Sequence, residues 1–133
     1  MEPKKIFSWV LRLAAAVIML QTLFFKFTGA PESIYIFETV GLEPWGRYGS
    51  GLVELAASIL LFVPGFVWLG ALLGVGTMSG AILSHLTLLG IEVQDDGGTL
   101  FILALVVFIS CAITLWTNKK DIPVIGSKFS SES

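Results

Sequence analysis

The sequence predicts an all-α integral membrane protein, with one membrane domain over residues 1–133. We expect a four-helix bundle with a short amphipathic helix between its first two spans. One reason is composition: 55% of the residues are apolar and 14% are charged, too few charges to cover a soluble domain. Another is that the apolar residues form four runs, each near the roughly 20 residues with which a helix crosses a bilayer. The charged residues lie mainly between these runs.

Composition also excludes several classes of function. The net charge of -2 leaves no basic surface for phosphates, so nucleic acid is not an expected partner. The single cysteine, Cys111, provides neither an intramolecular disulfide nor a CxxC pair. The sequence also contains only one histidine. It therefore has no ligand set for haem or zinc, and we expect no metal. We interpret Cys111 as a small buried apolar residue.

The first apolar run, about 6–26, is predicted to be a membrane span. Lys4 and Lys5 ahead of it also fit a signal peptide. The run is longer than the hydrophobic region of a typical signal peptide, and no soluble domain follows it, so we expect it to stay in the membrane.

The second run begins either at Gly49 or near Pro44. We take the longer version, about 45–63, with Pro44 as the first helical residue, because a proline there loses no hydrogen bond. Only the Pro64-Gly65 turn separates this span from the third, about 66–90. The two helices are therefore expected to be antiparallel neighbours.

The fourth span, about 100–117, is followed by a short tail, 118–133. Positive residues flank the first and last spans, whereas the two longer loops are acidic. The flanking lysines are Lys4, Lys5, Lys119, Lys120 and Lys128, and the loop charges are Glu32, Glu38, Glu43, Glu92, Asp95 and Asp96 against Arg47. Because positive residues stay on the cytoplasmic side, we expect both termini to be cytoplasmic in a multi-pass protein of the plasma (inner) membrane.

The segment between the first two spans is predicted to contain a helix. Ile34, Phe37 and Val40 fall at helical spacing, Pro31-Glu32 suits a helix start, and Gly41 suits its end. Such a helix either anchors the loop on the membrane surface or folds back over the bundle as a lid. We favour the surface anchor.

Besides Arg47, which we count with the loop before the second span, four ionisable residues fall inside the predicted spans: Arg12, Lys26, Glu54 and His85. Intramembrane charges normally face the protein interior and pair with one another. At 100° per residue, Arg12 and Lys26 share one face of the first span. We expect Glu54 to be the centre of a buried polar cluster, paired with Arg12 and connected toward His85 and Lys26, although any of the three can supply the counter-charge.

Two interpretations of this cluster remain open. It can serve only to select one helix packing, and a lone histidine near a span end is more often a packing residue. Alternatively, the cluster is part of a pocket for a small hydrophobic molecule with a polar head. A quinone fits, because its ring is apolar while its carbonyls need donors such as His, Arg or Lys.

Small residues recur at helical spacing in the third span. Gly70-xxx-Gly74 and Gly76-xxx-Gly80 are the pattern with which membrane helices approach each other closely. We expect these faces to pack against other helices of the chain or against another copy of it in a homo-oligomer.

Three stretches together resemble the DoxX family. They are LRLAAAVIMLQTLFFKFTG with Arg12 and Lys26, GSGLVELAASILLFVPG with Glu54, and LGALLGVGTMSGAILSHL with His85. The resemblance runs over about 6–117 and implies a four-span helical bundle in which these four polar residues are shared. The family is named for a small subunit associated with a membrane sulfur or quinol oxidoreductase. Its relatives are linked to quinone handling, oxidative stress and, in a distant branch, membrane-protein assembly.

Family resemblance does not determine a reaction, so the function remains a set of hypotheses. The first is a membrane protein that binds a quinone-like molecule and serves a redox complex, with Arg12, Lys26, Glu54 and His85 as its ligand-binding residues. The second is a non-catalytic assembly factor or accessory subunit for other membrane proteins. The third is a small-solute carrier, for which four spans are few. No catalytic residue follows from the sequence.

Overall fold

The structure is a computed structural model that describes residues 3–93 and 97–123, all of them in helices, turns or irregular segments. Its elements are α1 (Pro3–Thr28), α2 (Pro31–Thr39), α3 (Trp45–Leu60), α4 (Val67–Ser84), a π-helical turn (His85–Leu89), α5 (Thr99–Thr117) and a 3₁₀ turn (Lys119–Asp121). The all-α prediction is confirmed over the described residues. The last ten residues of the predicted tail, 124–133, lie outside them.

The four long helices pack in a closed ring. α1 contacts α3, α3 contacts α4, α4 contacts α5, and α5 returns to α1. Consecutive helices of the ring run antiparallel, and α3 and α4 are joined by the short turn expected from Pro64-Gly65. We call the end with the first residues of α1 and the last of α5 the terminal face. The opposite end, which α2 covers, is the α2 face.

Helix boundaries agree with the predicted spans except at the second. Three segments are long and apolar enough to cross a membrane, namely Pro3–Thr28, Val67–Leu89 and Thr99–Thr117. α3 has 16 residues, so at 1.5 Å per residue it is only about 24 Å long. It begins at Trp45, directly after Pro44, and ends before the predicted limit because a turn follows Leu60.

The exterior of the bundle is apolar, and its interior contains polar residues. Large apolar side chains are exposed along the helices, among them Val10, Val17, Leu52, Ile59, Leu83 and Ile109. Buried polar side chains include Glu54, Ser58, His85, Ser110 and Thr114. A protein in water shows the reverse distribution. This exterior is suited to hydrocarbon.

The first glycine pair of α4 packs as its spacing predicts. A Cβ at Gly70 would lie 2.8 Å from the carbonyl oxygen of Ala57 and from the backbone nitrogen of Leu61. A Cβ at Gly74 would lie 2.5 Å from the Cys111 sulfur. The absence of a side chain therefore lets α3 approach α4 at Gly70 and lets α5 approach it at Gly74. Cys111 is the small buried residue that the sequence predicted.

The second glycine pair behaves differently. A Cβ at Gly76 or Gly80 would meet nothing within 4 Å. The prediction that this spacing packs closely is wrong within the chain, because α3 and α4 touch at Gly70 and leave open space beside these two glycines.

α2 is the amphipathic helix predicted between the first two spans. It contacts α1, α3 and the π-helical turn, so it lies across the α2 face. Its end is a Schellman motif: the N–H of Gly41 bonds to the Glu38 carbonyl at 3.1 Å and that of Leu42 to the Phe37 carbonyl at 2.8 Å. Gly41 has a φ of 79°, a backbone conformation that residues with a side chain rarely adopt.

Gly70→Ala should destabilise the bundle by about 1–3 kcal/mol, because the new methyl group overpacks a backbone contact. Gly76→Ala is the matched control on the same helix, and the higher helix propensity of alanine should stabilise it by about 0.5–1 kcal/mol. Thermal unfolding in detergent, followed by circular dichroism, compares the two. Equal effects in both variants would contradict the close approach of α3 and α4 at Gly70.

Candidate functional site

A cavity of about 750 Å³ occupies the half of the bundle next to the α2 face. Residues from α1, α3, α4 and α5 form its walls, and α2 covers it. Its polar lining residues include Thr22, Lys26, Ser33, Glu54, Thr77 and His85. The volume lies in the range of about 300–1,000 Å³ that is usual for small-molecule sites.

Glu54 of α3 forms an ion pair with Lys26 of α1 on one wall of the cavity. The Glu54 side chain is 0% exposed and that of Lys26 is 16% exposed. The Lys26 ammonium lies against Oε1 of Glu54, and the Thr22 hydroxyl lies 2.7 Å from Oε2. Thr22 and Lys26 are four residues apart and share one helix face. We call these three residues the polar cluster.

The Thr22 hydroxyl can satisfy Glu54 in either protonation state. Its oxygen also lies 2.9 Å from the Met19 carbonyl, which can only accept a hydrogen bond. Toward an ionised Glu54 the hydroxyl donates. A protonated Glu54 instead donates to the Thr22 oxygen, which donates in turn to Met19. Glu54 can therefore hold or release a proton and keep its hydrogen bond to Thr22, and only the bond from Thr22 to the Met19 carbonyl is lost when Glu54 is ionised.

Arg47 holds the backbone of Lys26 and was not identified from the sequence. Its side chain donates to the Lys26 carbonyl and makes bonds of 2.9 and 3.0 Å from Nε to the Glu43 carboxylate. It also lies 4.5 Å over the Tyr48 ring. The carbonyls at a helix end have no partner within the helix, so Arg47 caps α1. The Glu43-xxx-Arg47 spacing, favourable on a helix, was the available signal.

Arg12 lies at the terminal face and is not among the residues that line the cavity. It donates a hydrogen bond of 3.0 Å to the Leu61 carbonyl and stacks 4.2 Å over the Trp9 ring, which in turn stacks on Phe62. The expected Arg12–Glu54 pair is wrong, because Glu54 pairs with Lys26. Arg12 instead caps the end of α3, whose last carbonyls need donors.

His85 is buried, with 4% exposure, and lines the cavity at the start of the π-helical turn. Its Nδ1 lies 2.9 Å from the Gly90 carbonyl and must carry a proton, because a carbonyl only accepts. In the neutral ring Nε2 is then an acceptor. Among the described residues, none forms a hydrogen bond with Nε2. Single π-helical turns occur frequently at functional sites.

α2 covers part of the cavity above the polar cluster. Its Phe37 ring lies 5.8 Å from the Lys26 ammonium, and its buried Ser33 also lines the cavity. Gly29 and Gly41, with φ values of 71° and 79°, flank the helix. The structure thus gives α2 the position of a lid, whereas the sequence favoured a surface anchor.

Within residues 3–93 and 97–123, no three potential ligands come together in a way that could hold a metal ion. The polar side-chain groups that line the cavity are the carboxylates of Glu32 and Glu54, the Gln21 amide, an ammonium, an imidazole and several hydroxyls. These can bind polar atoms and exchange protons.

A helical bundle with an apolar exterior, long apolar helices and an ion pair beside an internal cavity defines a membrane protein. This chain belongs to the DoxX family, whose family model matches residues 7–87. No curated protein and no solved structure matches it. The matched range contains the predicted polar residues, Arg12, Lys26, Glu54 and His85, and ends before α5.

Lys26→Met should lower the free energy of unfolding by about 3 kcal/mol or more, because it leaves the buried Glu54 carboxylate without its counter-charge. The double variant Lys26→Met/Glu54→Gln should recover most of this loss, since it removes both charges. Denaturant titration in detergent measures the difference, with Lys4→Met at the exposed start of α1 as the control. A double variant no more stable than the single one would show that the two residues do not interact.

Proposed function

We propose that this protein binds a quinone-like hydrophobic molecule in the cavity and serves a membrane redox complex. The observation that carries the proposal is the cavity itself, which the Lys26–Glu54 pair and His85 all line. A site of this kind, largely apolar with a few convergent polar groups, suits a flat apolar ring with polar substituents.

Each form of a quinone finds a partner in this cavity. The carbonyls of an oxidised quinone accept hydrogen bonds, and the Lys26 ammonium has three donors, of which the ion pair with Glu54 needs one. The hydroxyls of the reduced form donate, and Nε2 of a neutral His85 accepts. Both redox states can therefore be held by the same residues.

Proton exchange favours the same interpretation. Reduction of a quinone to a quinol consumes two protons and two electrons. Glu54 keeps its hydrogen bond to Thr22 with or without a proton, and the ring nitrogens of His85 can donate or accept a proton. These side chains supply protons but no electrons, so the electrons belong to a partner protein, and the proposal includes a redox complex for that reason.

Arg12 has no part in the proposed ligand site. It was grouped with Lys26, Glu54 and His85 because all four are ionisable residues in apolar spans. Its contacts with Leu61 and Trp9 at the terminal face support a role in fastening α1 to α3.

In the membrane, we place α1, α3, α4 and α5 as four spans, with both termini in the cytoplasm and the protein in the plasma (inner) membrane. The terminal face carries Lys4, Lys5, Lys119 and Lys120, while the α2 face carries Glu32, Glu38, Glu43 and Glu92. This difference in charge supports the orientation. The short α3 fits a locally thinned bilayer, a modest cost.

The interior gives less support to a solute carrier. Met19, Leu61 and Val107 are 0% exposed, and Leu61 and Val107 are not among the residues that line the cavity. A transport pathway would have to cross this packed half. An assembly factor requires no bound ligand, so a ligand experiment separates it from the proposed function.

Mass spectrometry of small molecules released from mildly purified protein tests the ligand. We expect ubiquinone or menaquinone from the wild type and at least tenfold less from folded Glu54→Gln and His85→Phe variants. Lys5→Gln, which removes a charge outside the cavity, should retain the ligand. If the wild type releases only bulk phospholipid and quinone analogues leave its melting temperature unchanged, the proposal fails and an assembly role becomes the better hypothesis.

A membrane-impermeant maleimide applied to intact cells tests the orientation. Cys111 is fully buried, so the wild type serves as the unreactive background. Thr39→Cys at the α2 face should be labelled from outside, and Lys120→Cys at the terminal face only after permeabilisation. The opposite labelling pattern would show that the termini lie outside the cell. Labelling of both variants from outside would show that the α2 face and the terminal face do not lie on opposite sides of the membrane.

A further inference from the structure

The cavity reaches the outer surface of the bundle between α3 and α4. Val53 of α3 and Gly76 and Gly80 of α4 all line it, and all three are exposed, Val53 by 38%. A residue that both lines the cavity and is exposed at the surface marks a place where the cavity opens.

The opening exists because two glycines leave the wall of α4 without side chains. Gly76 and Gly80 are four residues apart and share one helix face, and a Cβ on either would meet nothing within 4 Å. Near the terminal face, by contrast, Gly70 brings α4 into backbone contact with α3. The opening therefore lies on the α2 side of that contact.

Position along the helix determines what the opening faces. α4 and its π-helical turn cover Val67–Leu89, a length of about 33 Å at 1.5 Å per residue. Gly76 and Gly80 lie about 14 and 20 Å from the Val67 end. Both are thus near the middle of an apolar segment, where a bilayer offers hydrocarbon.

A second observation, the position of His85, connects the opening at the two glycines with a polar group inside the cavity. The nine-tenths buried His85 side chain lines the same cavity, and none of the described residues bonds to its Nε2. The cavity therefore offers a polar anchor inside and an apolar exit at its side.

We propose that the gap bounded by Val53, Gly76 and Gly80 is a lateral portal through which the hydrocarbon tail of the bound molecule extends into the bilayer. This inference rests on the proposed function and narrows its ligand class to long-chain isoprenoid quinones. A cavity of about 750 Å³ accommodates a drug-sized molecule, so a ring and a short length of chain fit while a long tail must continue outside.

Exposed residues also line the cavity at the α2 face, where they are Glu32 and Leu42, and between α1 and α5. There Gln21, Phe25 and Leu103 line it, and their side chains occupy the wall. The glycine wall between α3 and α4 presents no such obstacle, so the tail leaves on that side.

Gly76→Leu/Gly80→Leu fills the portal, and Leu72→Phe, at an exposed position of α4 outside the cavity lining, is the control. Binding of full-length ubiquinone and of its tailless head group is measured for each protein in nanodiscs. We expect the ratio of the two affinities to shift at least tenfold against the long-tailed molecule in the double variant and to stay unchanged in Leu72→Phe. An unchanged ratio in the double variant overturns the portal, whether both affinities persist or fall together.

Failure of the proposed function gives a different pattern, in which neither quinone binds the wild type. The portal is then tested with a fatty acid that carries a photoreactive diazirine on its chain. Label near Val53 and Gly80 that disappears in the double variant supports a hydrocarbon-binding portal. Label at Phe25 or Leu103, or none in the cavity, overturns it.

Discussion

The ion pair between Glu54 and Lys26 is the constraint on which the rest of the structure depends. A carboxylate with no exposure in an apolar bundle requires a counter-charge, and only one relative height of α1 and α3 brings these residues together. Arg47 then caps the Lys26 carbonyl, and Arg12 caps the Leu61 carbonyl at the opposite end. α1 and α3 are thus joined at both ends by charged side chains, and α4 and α5 complete the ring largely through small residues.

Much of the fold could be predicted from local sequence, because helix length and apolar periodicity are local properties. The inward face of α1 and the ends of α2 belong to this group. The partner of Glu54 could not be predicted, since it depends on where α3 begins and on its height relative to α1. A shift of one turn moves a side chain by about 5 Å, enough to separate Glu54 from Lys26. Arg47 was missed because it was counted only as a loop charge.

The two glycine pairs of α4 show the same limit. Gly70-xxx-Gly74 and Gly76-xxx-Gly80 are equivalent as patterns, yet the first contacts α3 and α5 while the second borders the cavity. The difference arises from the direction of neighbouring helices, which no local pattern contains. This difference between the two pairs also determines where the cavity lies. Helices pack tightly near the terminal face and leave open space near the α2 face, so the cavity lies beside the polar cluster and below α2.

A crystal structure grown in a lipid phase that contains a short-chain ubiquinone tests the central claim most directly. We expect the quinone head group inside the cavity, with one oxygen at hydrogen-bonding distance from Lys26 Nζ or His85 Nε2 and with Glu54 still paired with Lys26. A head group bound beside Trp9 and Arg12 at the terminal face, or a Glu54 carboxylate paired with Arg12, would contradict it.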